Sequence, residues 1–256
     1  MNDSIALCVG LNAFLSPQIP RLNGCENDMR NMAAYLTKAG YEVQTATGEA
    51  AGLARIAEWM GRAAIAAQRS EVKRIAFSIS SHGTQVPDKN ADETDKWDEA
   101  IATWDTHVAN GRWVQLLVDD DINKWLASFP ADVDVQMWAD SCHSGTVSRA
   151  ALHYAIRYLP QPDGRAITQP RPRGLLTPSH VKELERAGRI NRRIWSACRA
   201  DQTAADAVIG SKPCGAFTYA WLNAAAKRGT DAQILARTRT LLRKGGFDQE
   251  PQVEVL

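Results

Sequence analysis

The fold of this chain is decided by the stretch Val133-Asp134-Val135-Gln136-Met137-Trp138-Ala139-Asp140-Ser141-Cys142-His143-Ser144-Gly145. Its first seven residues have the apolar and β-branched character of a strand, and they lead directly into a small polar turn that ends at a glycine. Such a turn lies at the carboxyl edge of a sheet, where open α/β sheets carry their ligand chemistry. The thiol of Cys142 at this edge is therefore a candidate nucleophile.

A second strand-like run, Arg74–Ser80, ends in Ser81-His82-Gly83. If the two strands are neighbours, His82 would be the base for the Cys142 thiol, and the N–H groups of Gly83 and Cys142 could hold an oxyanion. A single cysteine is more often an inert buried residue, and His-Gly is common in turns. The two together, each at the end of a predicted strand, favour a cysteine peptidase.

The sequence on the amino-terminal side of these turns alternates between strand and helix patterns. Apolar runs predict strands over Ile5–Leu11, Tyr41–Thr45 and Lys73–Ser80, and helical periodicity predicts helices over Cys25–Ala39 and 49–68. This order predicts an α/β fold of three layers, in which a mostly parallel central sheet has helices on both faces.

The rest of the chain is less regular. Residues 84–113 form a polar, acidic excursion, residues 149–159 have an amphipathic pattern that predicts a helix, and residues 160–177 are rich in proline and arginine, as solvated linkers are. Further helices are predicted over Asp119–Phe129, 178–187, Phe217–Arg228 and Asp231–Lys244, and further strands over Arg192–Ala197 and Gln252–Val255. We expect one domain over 1–256, with halves 1–148 and 192–256 joined by a linker and possible processing region over 149–191.

Composition excludes several classes of protein. The chain has 256 residues and a net charge of +1, so it has no basic field for nucleic acid or anionic lipid. Its five cysteines lack CxxC spacing, which argues against a disulfide framework and a structural zinc site and fits a reducing cytoplasm. We expect no signal peptide and no membrane span, because the amino terminus lacks a basic region and no apolar run is long enough.

A phosphatase is a rival chemistry for an exposed cysteine. It needs Cys-x5-Arg, so that the arginine and loop amides cradle a phosphate, but the sixth residue after Cys142 is Ser148 and Arg149 falls one place late. The intervening residues also lack the glycines of a phosphate cradle. The spacing therefore argues against phosphoryl transfer.

Four ordered blocks of sequence resemble metacaspases, within the wider clan of caspase-like peptidases. The blocks are Leu22-Asn23-Gly24-Cys25-Glu26-Asn27-Asp28, Ser80-Ser81-His82-Gly83-Thr84-Gln85, Asp140-Ser141-Cys142-His143-Ser144-Gly145, and Ser196 to Asp206 followed by Gly215-Ala216-Phe217-Thr218-Tyr219. They follow the family's order and reach across most of the chain. One departure is Ser81, where the family usually has glycine, which adds a side chain beside the histidine.

The resemblance implies a caspase-like fold and a cysteine endopeptidase with His82 and Cys142 as catalytic dyad. It assigns the pocket for the residue before the scissile bond to Cys25, Asp28, Ser80 and Asp140. Because Asp140 lies two residues before the nucleophile, an extended strand would turn both side chains to one side. Two converging carboxylates favour a guanidinium or ammonium group, so the expected substrates are proteins and peptides with arginine or lysine before the scissile bond.

The resemblance also implies a calcium site at Asp98, Asp119 and Asp120, since hard carboxylate oxygens suit this ion. Arg149 stands where calcium-binding relatives usually place another aspartate, and a cation there would repel the metal or pair with the acids. Asp119 could instead cap the helix that follows it, and the neighbouring acids could form a solvated loop. Calcium is not required for the peptidase chemistry itself.

The resemblance also implies regulation by cleavage in the linker. Its basic residues match an acidic pocket, so processing by the protein itself or by a partner protease is predicted between about 149 and 193. The candidate positions are Arg165, Arg171, Arg173, Lys182, Arg186 and Arg189. The resemblance implies a monomer, and a regulatory protein is a further possible partner. The alternatives are a catalytically silent binding or scaffold protein with this fold, and a proenzyme that depends on another protease.

Overall fold

A computed structural model describes residues 2–88, 97–142, 154–165, 178–186, 188, 191–199 and 201–255. The described strands are β1 (Ser4–Gly10), β2 (Glu42–Ala46), β3 (Arg74–Ser80), β4 (Gly83–Pro87), β5 (Trp97–Ala109), β6 (Arg112–Val118), β7 (Asp134–Asp140), β8 (Ala155–Ile156), β9 (Arg192–Ser196), β10 (Ala205–Ile209), β11 (Lys212–Gly215) and β12 (Gln252–Val255). The described helices are α1 (Cys25–Lys38), α2 (Leu53–Gln68), α3 (Asp119–Ala127), α4 (Pro178–Arg186), α5 (Ala216–Ala225) and α6 (Asp231–Lys244).

The central sheet has six strands in the order β12-β9-β7-β3-β1-β2. All neighbouring pairs are parallel except β12 and β9, which are antiparallel. The sheet therefore draws strands from both predicted halves of the chain. The prediction of an α/β fold with a mostly parallel central sheet is confirmed.

Helices cover both faces of this sheet, because alternate strand side chains point to opposite sides. On one face Phe77 of β3 packs against Trp59 of α2 and Trp125 of α3, with ring centroids 6.3 and 5.9 Å apart. On the other face Trp138 of β7 meets Trp221 of α5 edge-on at 5.1 Å. Two apolar cores result, one under α2, α3 and α4 and the other under α1, α5 and α6.

Much of the polar, acidic stretch over residues 84–113 belongs to a second sheet. Strands β4, β5 and β6 form an antiparallel meander, with a register shift between Ala102 and His107. Its strands lack a clear apolar pattern, because some of their buried side chains are polar. Thr103 and Thr106, for example, both donate hydrogen bonds to the carbonyl oxygen of Gln115. The sequence is therefore polar in a region that forms a sheet, and this sheet packs beside the turn that carries His82.

A third sheet, in the order β11-β10-β8, corrects the predicted helix over 149–159. In the described part of that range, Ala155 and Ile156 pair antiparallel with β10. The amide of Arg157 donates to the carbonyl of Ala204, and that of Leu159 donates to Gly83, so neither amide makes a helical hydrogen bond. Pairing with distant strands has overridden the local amphipathic pattern. The rest of the predicted helix, 149–153, and the linker residues 166–177 lie outside the described residues.

No helix in the described part of the chain is long and apolar enough to cross a membrane.

Candidate active site

His82 and Cys142 follow the carboxyl ends of two adjacent parallel strands. Ser80, the last residue of β3, is in register with Asp140, the last residue of β7, and the amide of Ser81 lies 3.4 Å from the carbonyl oxygen of Asp140. His82 and Cys142 are each two residues beyond this pair, and both are buried. The two turns therefore lie next to each other at one edge of the sheet, as the sequence predicted.

The ring of His82 is held by a backbone carbonyl. Its Nε2 atom lies 2.8 Å from the carbonyl oxygen of Pro20, which can only accept, so Nε2 carries the proton. In that tautomer Nδ1 is the nitrogen able to accept a proton. The ring of Phe14 packs on the imidazole at 5.6 Å. Nothing in the sequence marked Pro20, because its contribution is a main-chain atom.

The turn that carries His82 is braced by strand β5. The hydroxyl of Ser81 donates to the carbonyl of Ala102 at 2.7 Å, and the amide of Ala102 donates to the carbonyl of His82 at 2.9 Å. The side chain that distinguishes Ser81 from the family's usual glycine therefore ties the turn to β5 and is itself buried.

Two backbone amides converge on a single carbonyl oxygen. The N–H groups of Gly83 and Cys142 both donate to the carbonyl oxygen of Arg157, at 2.8 and 3.3 Å. These are the two amides that the sequence suggested for an oxyanion. The structure shows that they can share one oxygen atom.

Beside these amides the guanidinium of Arg157 is enclosed by three carboxylates. Its Nη2 atom donates to Asp28 at 2.6 Å and to Asp206 at 2.9 Å, and its Nη1 atom lies 3.0 Å from Asp140. All four side chains are almost completely buried. The predicted pocket residues Asp28 and Asp140 thus come together, and Asp206 joins them.

Neutral donors hold each of these carboxylates in place. Asp28, in the first turn of α1, accepts the amide of Gly215 at 2.9 and 3.0 Å. Asp140 accepts the amide and hydroxyl of Thr218 at 3.0 and 2.6 Å. Asp206 accepts the amides of Asn23 and Gly24 at 2.7 and 2.9 Å. These bonds fix the direction of each carboxylate before any cation is bound.

The other two predicted pocket residues are also buried at this edge. Cys25 begins α1, and its pKa is raised well above the usual value by burial, with Arg157 lowering it and the three aspartates raising it. Ser80 lies in register between Gly10 of β1 and Asp140 of β7. Cys25 is thus close enough to feel the pocket's charges, and Ser80 shares its sheet edge.

Burial dominates the protonation of the site. It raises the pKa of the Cys142 thiol to about 12, although hydrogen bonds with the backbone of Ala204 and Arg157 and the charge of Arg157 act in the opposite direction. It also raises the pKa of Asp28 to about 7, against the attraction of Arg157. At neutral pH the Cys142 thiol is therefore protonated while the site is closed in this way.

The three residues predicted to bind calcium lie on other elements than the pocket carboxylates. Asp98 lies near the start of β5 and Asp119 and Asp120 begin α3, and Asp120 has Lys124 3.6 Å away. Among the described residues, which leave out 89–96 and 143–153, no three His, Cys, Asp or Glu side chains are arranged to hold a metal ion. Arg149 lies outside the described residues. The described residues alone do not complete a calcium site.

Comparisons with known proteins identify the family of this chain. The caspase domain family matches residues 3–256. Metacaspase-1 of Pyricularia oryzae is 30% identical over 97% of this chain and 70% of its own length, and metacaspase-1 of Cryptococcus neoformans is 27% identical over 97% and 61%. The chain therefore spans about three fifths to seven tenths of these two relatives.

Solved structures share the fold. A Geobacter sulfurreducens protein superposes with a TM-score of 0.69 and 28% identity, covering 98% of this chain and 92% of its own. Caspase-1 of Spodoptera frugiperda superposes with a TM-score of 0.61 over 99% of this chain and 88% of its own, at 10% identity, and so shows the fold alone. With a family match that runs almost from end to end, this chain belongs to the caspase domain family of cysteine peptidases and is metacaspase-like within it.

Proposed function

We propose that this protein is a cysteine endopeptidase that cuts after arginine, and less well after lysine, with Cys142 as nucleophile and His82 as base. The observation that carries the proposal is the placement of Arg157. Its guanidinium lies among Asp28, Asp140 and Asp206, while its own carbonyl oxygen lies on the amides of Gly83 and Cys142. Recognition of a basic side chain and activation of the adjacent carbonyl thus occur at one site.

The mechanism follows from the positions of these groups. The Cys142 sulfur attacks the carbonyl carbon of the residue in the pocket, and the developing negative charge on the oxygen is stabilised by the N–H groups of Gly83 and Cys142. His82 takes the thiol proton on Nδ1 and gives it to the leaving amine, which leaves a thioester. Water then attacks the thioester with His82 again accepting a proton, and the acid product departs.

The pocket favours arginine over lysine. The two terminal nitrogens of Arg157 reach carboxylates on three separate elements: Asp28 on α1, Asp140 at the end of β7 and Asp206 on β10. A planar guanidinium can meet all three at once, whereas a lysine offers a single nitrogen. Aspartate before the scissile bond would place a fourth carboxylate among them, so cleavage after aspartate is disfavoured.

Hydrolysis of short fluorogenic peptides tests the proposal. Because Arg157 fills the pocket, the assay uses the Arg157→Gln chain, with folding checked by circular dichroism, against peptides that end in arginine, lysine or aspartate. We expect the order arginine, lysine, aspartate, and loss of all hydrolysis when Cys142→Ala or His82→Ala is added. Preferred cleavage after aspartate would refute the pocket. A folded chain that cuts no peptide would favour the catalytically silent scaffold.

Calcium binding at Asp98, Asp119 and Asp120 stays a proposal that rests on their carboxylates and their placement at neighbouring element ends. The ion would act on the arrangement of this region, because the reaction described above uses only Cys142, His82 and backbone amides. Calorimetric titration with calcium, compared between the natural chain and Asp119→Asn, tests it. Equal heats in both chains would remove these residues as ligands. A cytoplasmic location and a monomeric state likewise stay predictions from the sequence.

A further inference from the structure

The segment from Tyr154 to Leu159 crosses the active site in an extended form. On one side Ala155 and Ile156 pair with β10, and the amide of Arg157 donates to the carbonyl of Ala204 at 3.0 Å. On the other side the amide of Leu159 donates to the carbonyl of Gly83 at 2.8 Å. The backbone is therefore held before and after the Arg157–Tyr158 bond.

The same residue that supplies the side chain in the pocket supplies the carbonyl on the two amides. Arg157 donates to Asp28 and Asp206 through Nη2, and its carbonyl oxygen accepts from Gly83 and Cys142. A peptide substrate must satisfy both requirements with one residue, and a merely structural arginine would need only the first. The amide nitrogen of Cys142 itself lies 3.3 Å from the carbonyl oxygen of Arg157, so the backbone of the nucleophile is beside this carbonyl.

We propose that the Arg157–Tyr158 bond is the chain's own first substrate, and that the segment excludes other peptides while the Arg157 guanidinium is held by the three carboxylates. The segment is released when the bond is cut, or when a substitution removes the guanidinium. The inference rests on the proposed function, since it uses the same pocket, nucleophile and base. It identifies one bond within the broad processing region suggested by the sequence, at a residue that was not among the expected positions.

The reaction balances with water as the only added reactant. The Cys142 sulfur bonds to the carbonyl carbon of Arg157, the bond from that carbon to the nitrogen of Tyr158 breaks, and the thiol proton passes through His82 to the new amino group. Water then hydrolyses the thioester, its oxygen stays on Arg157 as the carboxylate, and the thiol is restored. The products are a chain ending at Arg157 and a chain beginning at Tyr158.

Arg165, a second basic residue in the described stretch 154–165, lacks this placement. It is exposed and is paired with the neighbouring Asp163 at 2.6 Å. Its guanidinium therefore meets a carboxylate in solvent, with no link to the nucleophile. This makes Arg165 a matched control for Arg157.

Cys142 has low reactivity while the segment from Tyr154 to Leu159 covers it. Arg157 and Tyr158 are buried, and the Cys142 thiol is deprived of solvent and protonated at neutral pH. Strand β8 has only two residues, so few backbone bonds hold the segment once the adjacent bond is cut. Its departure would admit water and substrate to Cys142.

Intact-mass measurement on the full chain during incubation at pH 7.5 tests the inference. We compare the natural chain, Cys142→Ala, Arg157→Gln, Arg157→Lys and Arg165→Gln, each at two tenfold-separated concentrations. We expect fragments 1–157 and 158–256 from the natural chain and Arg165→Gln, at a rate independent of concentration. Cys142→Ala and Arg157→Gln should give neither fragment, and Arg157→Lys should be cut at the same bond at least tenfold more slowly.

The outcomes separate this inference from the proposed function. If Arg157→Gln hydrolyses arginyl peptides but the natural chain is first cut elsewhere, or never cut, the inference is wrong and the peptidase proposal stands. If no folded variant hydrolyses an arginyl peptide, the proposed function itself fails. Should Arg157→Gln not fold, Arg157→Lys keeps the cation in the pocket, and first cutting of that chain at any bond other than 157–158 would overturn the inference.

Discussion

The Nη2 atom of Arg157 lies 2.6 Å from a carboxylate oxygen of Asp28, although 129 positions separate the two residues in the chain. Neither side chain has appreciable contact with water. Burial raises the pKa of Asp28 to about 7, and the guanidinium opposes this rise. The ionised form of Asp28 is the form that pairs with a cation, so protons and guanidinium groups compete for this carboxylate.

Binding of an arginine side chain is therefore expected to weaken as the pH falls toward 7. With a guanidinium in the pocket the pKa of Asp28 is about 7, and because that cation lowers the pKa, the pKa of Asp28 in the empty pocket is higher. Between these two pKa values the empty pocket must lose a proton to bind the cation, so the dissociation constant rises by up to about tenfold per pH unit as the pH falls. The measurement is calorimetric titration of a chain carrying Cys142→Ala and Arg157→Gln with a peptide that ends in arginine, from pH 9.5 to pH 6, and the dependence should flatten below pH 7.

The control for this titration adds Asp28→Asn, which cannot take up the proton. It should bind more weakly at pH 8 and show a flatter dependence on pH. If the dissociation constant changes equally with pH in both chains, another group is responsible.

The reactivity of Cys142 should report whether the segment is in place. While the site is closed, burial raises the pKa of this thiol to about 12, and the thiolate is the reactive form. We expect Arg157→Gln to increase the rate of alkylation of Cys142 by iodoacetamide at pH 7.5 at least tenfold over that of the uncut natural chain. Peptide mass spectrometry measures it residue by residue.

Cys8 provides an internal control in the same experiment. It is buried in the central strand β1, and burial also raises its pKa to about 12. It should stay unlabelled in both chains. Equal labelling of Cys8 and Cys142 in the variant would mean general unfolding and not an opened site.

The sequence predicted the parts of the site that depend on strand ends. Two strand-like runs followed by small polar turns placed His82 and Cys142 together, because parallel neighbours present their carboxyl ends at one edge. Asp140 was assigned to the pocket by the resemblance, and its position two residues before Cys142 supported that assignment. Asp28 depended on the resemblance of its block, and α1 carries it to the same edge.

The remaining parts depend on contacts between distant segments. Arg157 lies in a stretch whose local pattern favours a helix, and pairing with β10 and Gly83 decides otherwise. Asp206 stood at the end of a recognised block, which is the one signal that pointed to it, but its role depends on the amides of Asn23 and Gly24 far away in sequence. Pro20 contributes a carbonyl, which no side-chain pattern encodes.

Asp206 should set the preference for arginine over lysine. It is the second partner of Arg157 Nη2 and is already aimed by the two amides of Asn23 and Gly24. In the Arg157→Gln chain, Asp206→Asn removes one charge-assisted hydrogen bond, and we expect hydrolysis of arginyl peptides to fall roughly 10- to 100-fold. The kcat/KM for lysyl peptides should fall less, so that the ratio of kcat/KM for arginyl peptides to kcat/KM for lysyl peptides decreases.

Asp163→Asn is the matched change outside the pocket. Asp163 also pairs with an arginine, Arg165, but in solvent. This variant should leave both kcat/KM values within about twofold, because exposed pairs contribute little. An equal loss for arginyl and lysyl peptides in Asp206→Asn would show that Asp206 only supports the fold.

Gly215 sets the depth of the pocket. A Cβ atom at this position would collide with Asp140 and would lie 2.5 Å from Nη1 of Arg157 and 2.8 Å from Asp28. Gly215→Ala should therefore exclude the guanidinium, stop cutting at Arg157–Tyr158 and, when combined with Arg157→Gln, lower arginyl peptide hydrolysis at least 100-fold. Cys142 should still be alkylated in the combined variant, because the added methyl group fills the pocket and not the nucleophile's position. Gly61→Ala, in the exposed face of α2 with open space around it, should change neither rate. Arginyl hydrolysis that survives Gly215→Ala would mean that substrates bind somewhere other than the place occupied by Arg157.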